Sequence, residues 1–309
     1  MAESDVPSQL TGLHLLLTYQ CTFECDHCFA WGSPWQNGTF TLANLRRILG
    51  QAKDLGTIKW IYFEGGEPFL YYATLLKAVQ EAQSLGFQVG IVSNAYWANT
   101  LEDAIEWLRP FTGLVVDLSV SSDLYHYDEM QSRQSHNASA AAETLGIPVG
   151  TISIAQPDNP DARASSGQIP ILASDEGSAI MYRGRAAKKL APNARLRPWQ
   201  SFRECSYEDL ASPGRLHLDP FGNLHVCQGI SLGNLFEETL VEIWQGYRPY
   251  THPITGPLLI GGPAELVLRY GLPHQEMVAD ACHLCYESRL ELRQRFPDYL
   301  TPDQMYGAY

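Results

Sequence analysis

The cysteines are the residues of this sequence whose number and spacing most directly indicate chemistry. They form a first cysteine set of three and a second cysteine set of four: Cys21, Cys25 and Cys28, then Cys205, Cys227, Cys282 and Cys285. A total of 7 cysteines is odd, so they cannot all pair into disulfides, and cytosolic thiols usually stay reduced. The division into three and four therefore predicts two metal sites.

Each cysteine set can be matched to a metal group by the number of thiolates that it offers. Three thiolates on the short loop 21–28 can hold three irons of a [4Fe–4S] cluster and leave the fourth iron open to a small molecule. The four thiolates of the second set suit a fully ligated [4Fe–4S] cluster. Zinc is the alternative at both places, with His27 as the fourth ligand in the first set and four thiolates in the second.

The pattern of apolar residues predicts the elements that must position these sets. Short apolar runs alternate with segments of helical spacing. The predicted strands cover residues 13–18, 58–63, 87–92, 114–120, 147–154 and 179–182, and the predicted helices cover 42–55, 72–85, 101–108 and 138–145. This alternation indicates βαβ units and a parallel sheet, and six units are fewer than the eight of a closed barrel. The expected fold is α/β, an open or partial (βα)6 TIM-like barrel with its ligand at the carboxyl ends of the strands.

The rhythm of the sequence changes after about residue 190. Two short apolar runs flank the turn residues 219–223, which indicates a β-hairpin. Helices are predicted over 235–244 and 284–296, whereas residues 246–279 are rich in Gly and Pro and have no assignment. We therefore expect a core domain at residues 11–190 with the first cysteine set. A small α+β domain at residues 191–309 would carry the second set.

The first cysteine set and a glycine-rich turn together resemble the radical S-adenosylmethionine (radical SAM) superfamily. The resemblance rests on the cysteine spacing with His27 before the last cysteine, on the turn Gly65-Gly66-Glu67-Pro68 after the second strand, and on the βα units. It implies a [4Fe–4S] cluster on the first set whose open iron binds the amino and carboxylate groups of SAM. It also implies that electron transfer from this cluster cleaves SAM to methionine and a 5′-deoxyadenosyl radical, which removes a hydrogen atom from the substrate.

The same resemblance assigns cofactor contacts to residues at the strand ends. The turn at residues 65–68 would receive the SAM amino group, and His27 belongs to the cofactor-binding loop. The residues expected to contact the SAM carboxylate and ribose follow the third and fourth strands: Asn94 or Ser93, and Ser121 or Asp123. Two roles are open for Arg183, which follows the predicted sixth strand. It contacts SAM or a carboxylated substrate, or it is a surface charge.

The second cysteine set lies in a segment that resembles the SPASM extension of radical SAM enzymes. The matching residues are the stretch 219–227 with Cys227, then Gly233-Asn234-Leu235 and residues 240–244. The full extension has seven cysteines, so four indicate the shortened "twitch" form with one auxiliary [4Fe–4S] cluster. All seven cysteines of the chain are then cluster ligands, and none is left to return a hydrogen atom. This favours a two-electron oxidation, and the family implies a one-electron donor such as flavodoxin or ferredoxin.

Composition limits the partners of the chain. Its 309 residues include 21 Lys and Arg against 34 Asp and Glu, a formal net charge of −13. A chain this acidic is not expected to bind nucleic acid through its phosphates. No apolar run approaches 18 residues and the N-terminus lacks a signal-peptide pattern, so we expect no membrane span and a cytoplasmic location.

Two substrate classes are compatible with this chemistry. Because only about ten residues precede the first predicted strand, no leader-binding domain is expected there, which favours a small polar metabolite such as an amino-cyclitol. The alternative is a ribosomally made peptide, since SPASM-type extensions are widespread among peptide-maturing enzymes. A more distant alternative is a non-enzymatic scaffold protein with two zinc ions.

Overall fold

The alternation of strands and helices predicted for the first half of the chain is present in a computed structural model, which describes residues 9–128, 132–157 and 180–308. The strands are β1 Gly12–Thr18, β2 Trp60–Gly65, β3 Gln88–Ser93, β4 Asp117–Ser121, β5 Val149–Ile152, β6 Arg197–Pro198, β7 Arg215–Leu218, β8 Asn223–Cys227, β9 Ile230–Asn234 and β10 Met277–Val278. The helices are α1 Leu42–Leu55, α2 Tyr72–Ser84, α3 Leu101–Leu108, α4 Arg133–Thr144, α5 Arg185–Lys189, α6 Leu240–Gly246, α7 Thr255–Tyr270 and α8 Ala281–Leu292.

Eight strands form one sheet in the order β5-β4-β3-β2-β1-β7-β8-β9. Strands β1 to β5 are parallel and β7 is parallel to β1, whereas β8 and β9 are antiparallel. Each strand from β2 to β5 is added on the same side of its predecessor, so right-handed crossovers place helices α1 to α4 on one face of the sheet. The predicted α/β fold with a largely parallel sheet is confirmed.

Strand β1 is the centre of this sheet and explains why its sequence is a continuous apolar run. All seven of its residues, Gly12–Thr18, are buried, because β2 and β7 cover both of its edges and other elements cover its faces. Helix α1 is capped at its start by Thr41, whose side chain accepts a hydrogen bond from the Asn44 N–H, and at its end by Gly56, which is in the left-handed region. These caps satisfy backbone groups that a helix end leaves unpaired.

Within the predicted core domain, the structure differs from the prediction mainly at the sixth strand. Ala179 lies outside the described residues, and residues 180–182 are not in a strand. Ile180 packs instead with Ala186 and Leu190, beside Tyr125 and other partly buried residues. The strand added beyond the first five is β7, which pairs with β1 through His14 and His217 among other residues. The pairing joins residues on both sides of position 190, so the division into 11–190 and 191–309 remains a prediction.

Helices α4, α6 and α8 begin at other residues than predicted, for local reasons. Helix α8 begins at Ala281 rather than Leu284, because the Asp280 side chain caps it. Helix α4 begins five residues earlier than predicted, because Ser132 caps a polar first turn that shows no apolar period. Helix α6 begins at Leu240 rather than Leu235, after a capping box formed by Thr239 and Glu242. Helix α7 lies in the unassigned segment, where a kink with non-helical Gly261 and Gly262 interrupts its period. Within the described residues, no helix is both long and apolar enough to cross a membrane.

Candidate active site

The first cysteine set lies on the loop that follows β1, at the carboxyl edge of the sheet. Cys21 and Cys25 are buried and Cys28 is partly exposed, and all three are free thiols. Burial raises the pKa of Cys21 to about 12 and that of Cys25 further still. A metal group bound here must therefore displace protons from thiols that are protonated at neutral pH.

Nitrogen donors already surround two sulfurs of the first set. Cys21 Sγ accepts hydrogen bonds from the Phe23 N–H at 3.4 Å and from Asn94 Nδ2 at 3.4 Å. Cys28 Sγ accepts one from the Gly32 N–H at 3.2 Å. Such N–H···S contacts stabilise thiolates and tune iron–sulfur clusters. The structure thus brings Asn94, expected near SAM, against the first cysteine set.

A buried arginine that is far from this loop in sequence, Arg185, holds the loop in place. The Arg185 guanidinium donates to the Cys25 carbonyl oxygen at 2.7 Å and to the Gly32 carbonyl oxygen at 2.9 Å. The Arg185 N–H donates to the Cys28 carbonyl oxygen at 3.0 Å, and its guanidinium lies 5.3 Å from the centre of the Trp31 ring. Arg185 therefore positions the cysteine loop through its backbone.

The glycines of the turn Gly65-Gly66-Glu67-Pro68 are required by packing against the end of β1. A Cβ at Gly66 would lie 2.0 Å from the Gln20 carbonyl oxygen, and one at Gly65 would lie 2.4 Å from the Thr18 carbonyl oxygen. The Gly66 and Glu67 N–H groups donate to these same oxygens, Thr18 at 2.7 Å and Gln20 at 2.8 Å. The turn is thus tied to the residue just before Cys21, and Pro68 opens the short 3₁₀ helix that follows.

Glu67 joins the glycine turn to the end of β3. Its fully buried carboxylate accepts hydrogen bonds from the Phe69 N–H at 3.0 Å, from Ser93 Oγ at 3.0 Å and from the Asn94 N–H at 2.7 Å. Burial raises the pKa of Glu67 to about 7 against these three bonds. Ser93 also accepts from the Ala95 N–H and from Trp97, so of the two candidates after β3 it is Asn94 whose side chain faces the cysteines.

The residues that follow β4 lie beside His27, which belongs to the loop of the first cysteine set. Asp123 is buried, and one of its oxygens accepts hydrogen bonds from the Tyr125 N–H at 3.0 Å and from His126 Nδ1 at 2.7 Å. His27 Nε2 lies 3.8 Å from the other Asp123 oxygen, and burial lowers the pKa of His27 to about 4, so its imidazole is neutral. Ser121, the last residue of β4, pairs with Ile152 of β5.

The arrangement of the first set does not match the zinc alternative. Among the described residues, one ligand atom each from Cys25, His27 and His126 lie within 4.8 Å of one another, but the three cysteines do not form such a group. Zinc–sulfur bonds of about 2.3 Å in a tetrahedral site would bring two sulfurs within about 3.8 Å. At least one pair of the three sulfurs is therefore farther apart than two ligands of one zinc ion.

The second cysteine set lines one pocket of about 420 Å³ of unfilled space. Cys205 lies on a loop, Cys227 ends β8, and Cys282 and Cys285 share one face of the first turns of α8. Gly262, in the kink of α7, has φ +64°, and a Cβ there would lie 2.3 Å from the Arg203 backbone. The kink thus allows the chain just before Cys205 to pack closely against α7.

Two buried arginines flank the second set. Arg183 donates to Cys227 Sγ at 3.3 Å and to Glu208 at 3.3 Å. Burial alone would lower its pKa, but Cys227 and Glu208 raise the pKa of Arg183 above its ordinary value, so it stays charged. Arg289 also lines the pocket and donates to the Cys285 carbonyl oxygen at 3.3 Å. The surface-charge role of Arg183 does not fit its burial, and its contact with SAM or a carboxylated substrate stays a prediction.

The donor chemistry of both sets fits iron–sulfur clusters. Each set consists of free thiols, no three sulfurs of either set all lie within 4.8 Å of one another, and N–H or guanidinium donors contact Cys21, Cys28 and Cys227. Negative clusters are stabilised by such donors. The two buried guanidiniums would offset part of the charge of a cluster held by four thiolates.

The sequence matches a known family over this part of the chain. Residues 15–153, which include the first cysteine set and strands β2 to β5, match the radical SAM superfamily. The chain carries a radical SAM domain. This family implies a [4Fe–4S] cluster and SAM as cofactors.

Two curated relatives are similar to part of the radical SAM domain. YydG of Bacillus subtilis (strain 168), named for peptide biosynthesis, is 28% identical over 122 residues, which cover 39% of this chain and 38% of YydG. An S-adenosylmethionine-dependent nucleotide dehydratase of Fibrobacter sp. (strain UWH6) is 28% identical over 121 residues, which cover 36% of this chain and 33% of that protein. The chain thus matches 38% of the length of the first relative and 33% of that of the second.

Two solved structures share the fold over most of the chain. One is native anSMEcpe with bound AdoMet and Cp18Cys peptide, with a TM-score of 0.51 at 11% identity, covering 92% of this chain and 97% of that one. The other is BtrN in complex with AdoMet and 2-DOIA, with a TM-score of 0.50 at 15% identity, covering 77% of this chain and 83% of that one. At these identities the similarity concerns the fold.

Sequence reasoning missed the supporting roles of three arginines. Arg183 was expected to contact SAM or a carboxylated substrate or to be a surface charge, whereas the structure puts it against the second cysteine set. Arg185 lies behind the first set, where its guanidinium donates to the Cys25 carbonyl oxygen. Arg289 was not singled out at all. Its spacing of four residues from Cys285 would have placed it on the same helix face, one turn further along.

Proposed function

We propose that the chain is a radical SAM oxidoreductase that removes two electrons from its substrate with the help of a second [4Fe–4S] cluster. The observation that carries this proposal is the presence of two separate free-thiol sets on one fold. The first lies at the carboxyl edge of the parallel sheet, where ligands of such folds bind. The second is flanked by two buried arginines and has four thiols, enough to ligate every iron of a cluster.

The cofactors supply the difficult chemistry and the chain positions them. When bound, the first cluster would give SAM the electron that releases a 5′-deoxyadenosyl radical, and the second would accept the electron left on the substrate after hydrogen removal. The substrate then loses one hydrogen atom to the radical, one electron to the second cluster and one proton to its surroundings. No cysteine is left outside the two sets to return a hydrogen atom, which favours a net oxidation over a redox-neutral reaction with a thiol donor.

The chain's own residues prepare both sites for these roles. Asn94 donates to Cys21 and, through Glu67, is tied to the glycine turn that would receive the SAM amino group. Arg185 holds the backbone of the first set. Arg183 donates to Cys227, where it would stabilise the added negative charge of a reduced second cluster.

A small polar metabolite is the substrate class that we propose first. The shared fold with BtrN, solved in complex with 2-DOIA, is compatible with a small ligand. A peptide is the second candidate, and a specific observation favours it: YydG is named for peptide biosynthesis, and anSMEcpe was solved with a bound peptide. The two classes differ in a measurable way, since only the second requires a precursor peptide for SAM cleavage to become coupled to product.

The test is an anaerobic assay of 5′-deoxyadenosine formation by the reconstituted protein with a chemical reductant. Wild-type protein should form 5′-deoxyadenosine, and a variant with Cys21, Cys25 and Cys28 replaced by Ala should not, although it keeps the second cluster. Deuterated candidate substrates should transfer deuterium to 5′-deoxyadenosine at the position that is oxidised. Equal 5′-deoxyadenosine formation by both proteins would refute the proposal.

A further inference from the structure

Three side chains of types that can bind metal ions lie together on one face of the sheet, outside both cysteine sets. His14 of β1 pairs in register with His217 of β7 and Tyr62 of β2, and Glu64 follows Tyr62 by two residues. Residues two apart on a strand share a face, and His14, Tyr62, Glu64 and His217 make this part of that face polar. We propose that His14, Glu64 and His217 bind a divalent first-row transition metal ion, as a third metal site.

The distances among these three side chains are those of ligands around one ion. His14 Nδ1 lies 3.2 Å from one Glu64 oxygen, and His217 Nε2 lies 3.2 Å from the other. One ligand atom from each residue lies within 4.8 Å of the other two. Metal–ligand bonds of about 2.1 Å place neighbouring ligand atoms roughly 3.0–3.4 Å apart, so the side chains could coordinate without large movement.

Hydrogen bonding within the cluster leaves two buried atoms, His14 Nε2 and Glu64 Oε1, without a hydrogen-bond partner among the described residues. The His14 contact with Glu64 has hydrogen-bond geometry. The Glu64 Oε1 atom is buried and lies 3.2 Å from His217 Nε2, yet among the described residues it has no hydrogen-bond partner. A buried carboxylate oxygen without a partner is costly. A cation between this oxygen and the His217 nitrogen would satisfy both lone pairs.

The charge state of the cluster suits a divalent cation. Burial lowers the pKa of His14 although Glu64 acts to raise it, so a metal ion displaces the proton of this imidazole more easily than that of an exposed histidine. Burial would raise the pKa of Glu64, but the two histidines outweigh it and lower the pKa, so the carboxylate is ionised. The neighbouring cation Arg215 lies 3.7 Å from Glu208, an ion pair that offsets its charge.

The ligand set indicates which metals would bind. Two imidazoles and one carboxylate are the protein ligands of open zinc sites and of non-haem iron(II) sites, both of which keep positions for water or substrate. The Glu64 and His217 side chains are 14% and 19% exposed, so the open positions can be reached from the polar face. The site is therefore expected to hold Zn²⁺ or Fe²⁺ with a water or a substrate oxygen.

The experiment uses Co²⁺ as the probe on the reconstituted holoprotein with both clusters oxidised. [4Fe–4S]²⁺ clusters have no net spin, so a high-spin Co²⁺ signal in electron paramagnetic resonance does not come from the clusters, and gel filtration before the measurement removes unbound Co²⁺. We expect one Co²⁺ per chain with no loss of sulfide, and pulsed spectra with the couplings of imidazole nitrogens. Glu64→Gln and His217→Gln should bind Co²⁺ roughly a hundredfold more weakly.

The control is His274→Gln, which removes an exposed histidine and should bind Co²⁺ like the wild type. Absence of a one-to-one Co²⁺ complex in wild-type protein would overturn the proposal, as would unchanged affinity in Glu64→Gln. Loss of cluster iron in proportion to added Co²⁺ would place the Co²⁺ on the cysteines and also overturn it. If the variants do not fold, the wild type alone decides: pulsed spectra of its bound Co²⁺ without imidazole couplings would overturn the proposal. None of these outcomes depends on SAM cleavage.

Discussion

Replacing Gly66 by Ala tests whether the glycine turn is shaped by packing against β1 rather than by its ligand. A Cβ at Gly66 would lie 2.0 Å from the Gln20 carbonyl oxygen, so that carbonyl would have to move by more than 1 Å. The same oxygen accepts the hydrogen bond from the Glu67 N–H. Overpacking costs about 1–3 kcal/mol and a lost hydrogen bond about 1 kcal/mol. Together they should destabilise the fold by about 2–4 kcal/mol.

Thermal denaturation of the metal-loaded protein measures this effect. At about 2.1 cal/mol/K of unfolding entropy per residue, the expected loss lowers the melting temperature by roughly 3–6 °C. Gly50→Ala is the matched control, because it lies within α1 and nothing stands within 4 Å of its added Cβ. That change should raise stability by about 0.5–1 kcal/mol. A Gly66→Ala protein that melts like the wild type but binds SAM weakly would refute the packing explanation.

The double substitution Cys282→Ala with Cys285→Ala should leave SAM cleavage to 5′-deoxyadenosine in place and abolish most of the oxidised product; loss of both activities in a folded variant would contradict an electron-accepting role. Arg183→Met removes the guanidinium that donates to Cys227 Sγ and should lower the reduction potential of the second cluster, because hydrogen bonds to sulfur and nearby positive charge favour the reduced state. A redox titration followed by electron paramagnetic resonance measures that potential. Arg269→Met, at a surface ion pair, should leave it unchanged, and an unchanged potential in Arg183→Met would show that the contact has no influence.

The features that could be predicted from sequence are those that depend on residues close together along the chain. The helix at 42–55 and the strand at 13–18 follow from apolar spacing over a few residues, and the structure has both within one residue. The hairpin around residue 221 follows from its turn residues. Each of these signals lies within about ten residues of chain.

The features that could not be predicted depend on contacts between distant residues. The pairing of β1 with β7 joins residues about 200 positions apart, and no local pattern in either strand identifies its partner. The same holds for Arg185, whose partners lie on the first cysteine loop. The proposed site at His14, Glu64 and His217 is assembled by that long-range pairing. The sequence alone therefore did not predict that the three residues lie together.

The content of acid-labile sulfide per chain tests the central claim most directly. Two four-iron clusters require about eight sulfides in the reconstituted wild type, with at least as many irons. Replacing the three cysteines of the first set by Ala should leave about four sulfides, all in the second cluster. A wild-type protein with about four sulfides, and with zinc bound at the second cysteine set, would contradict the account.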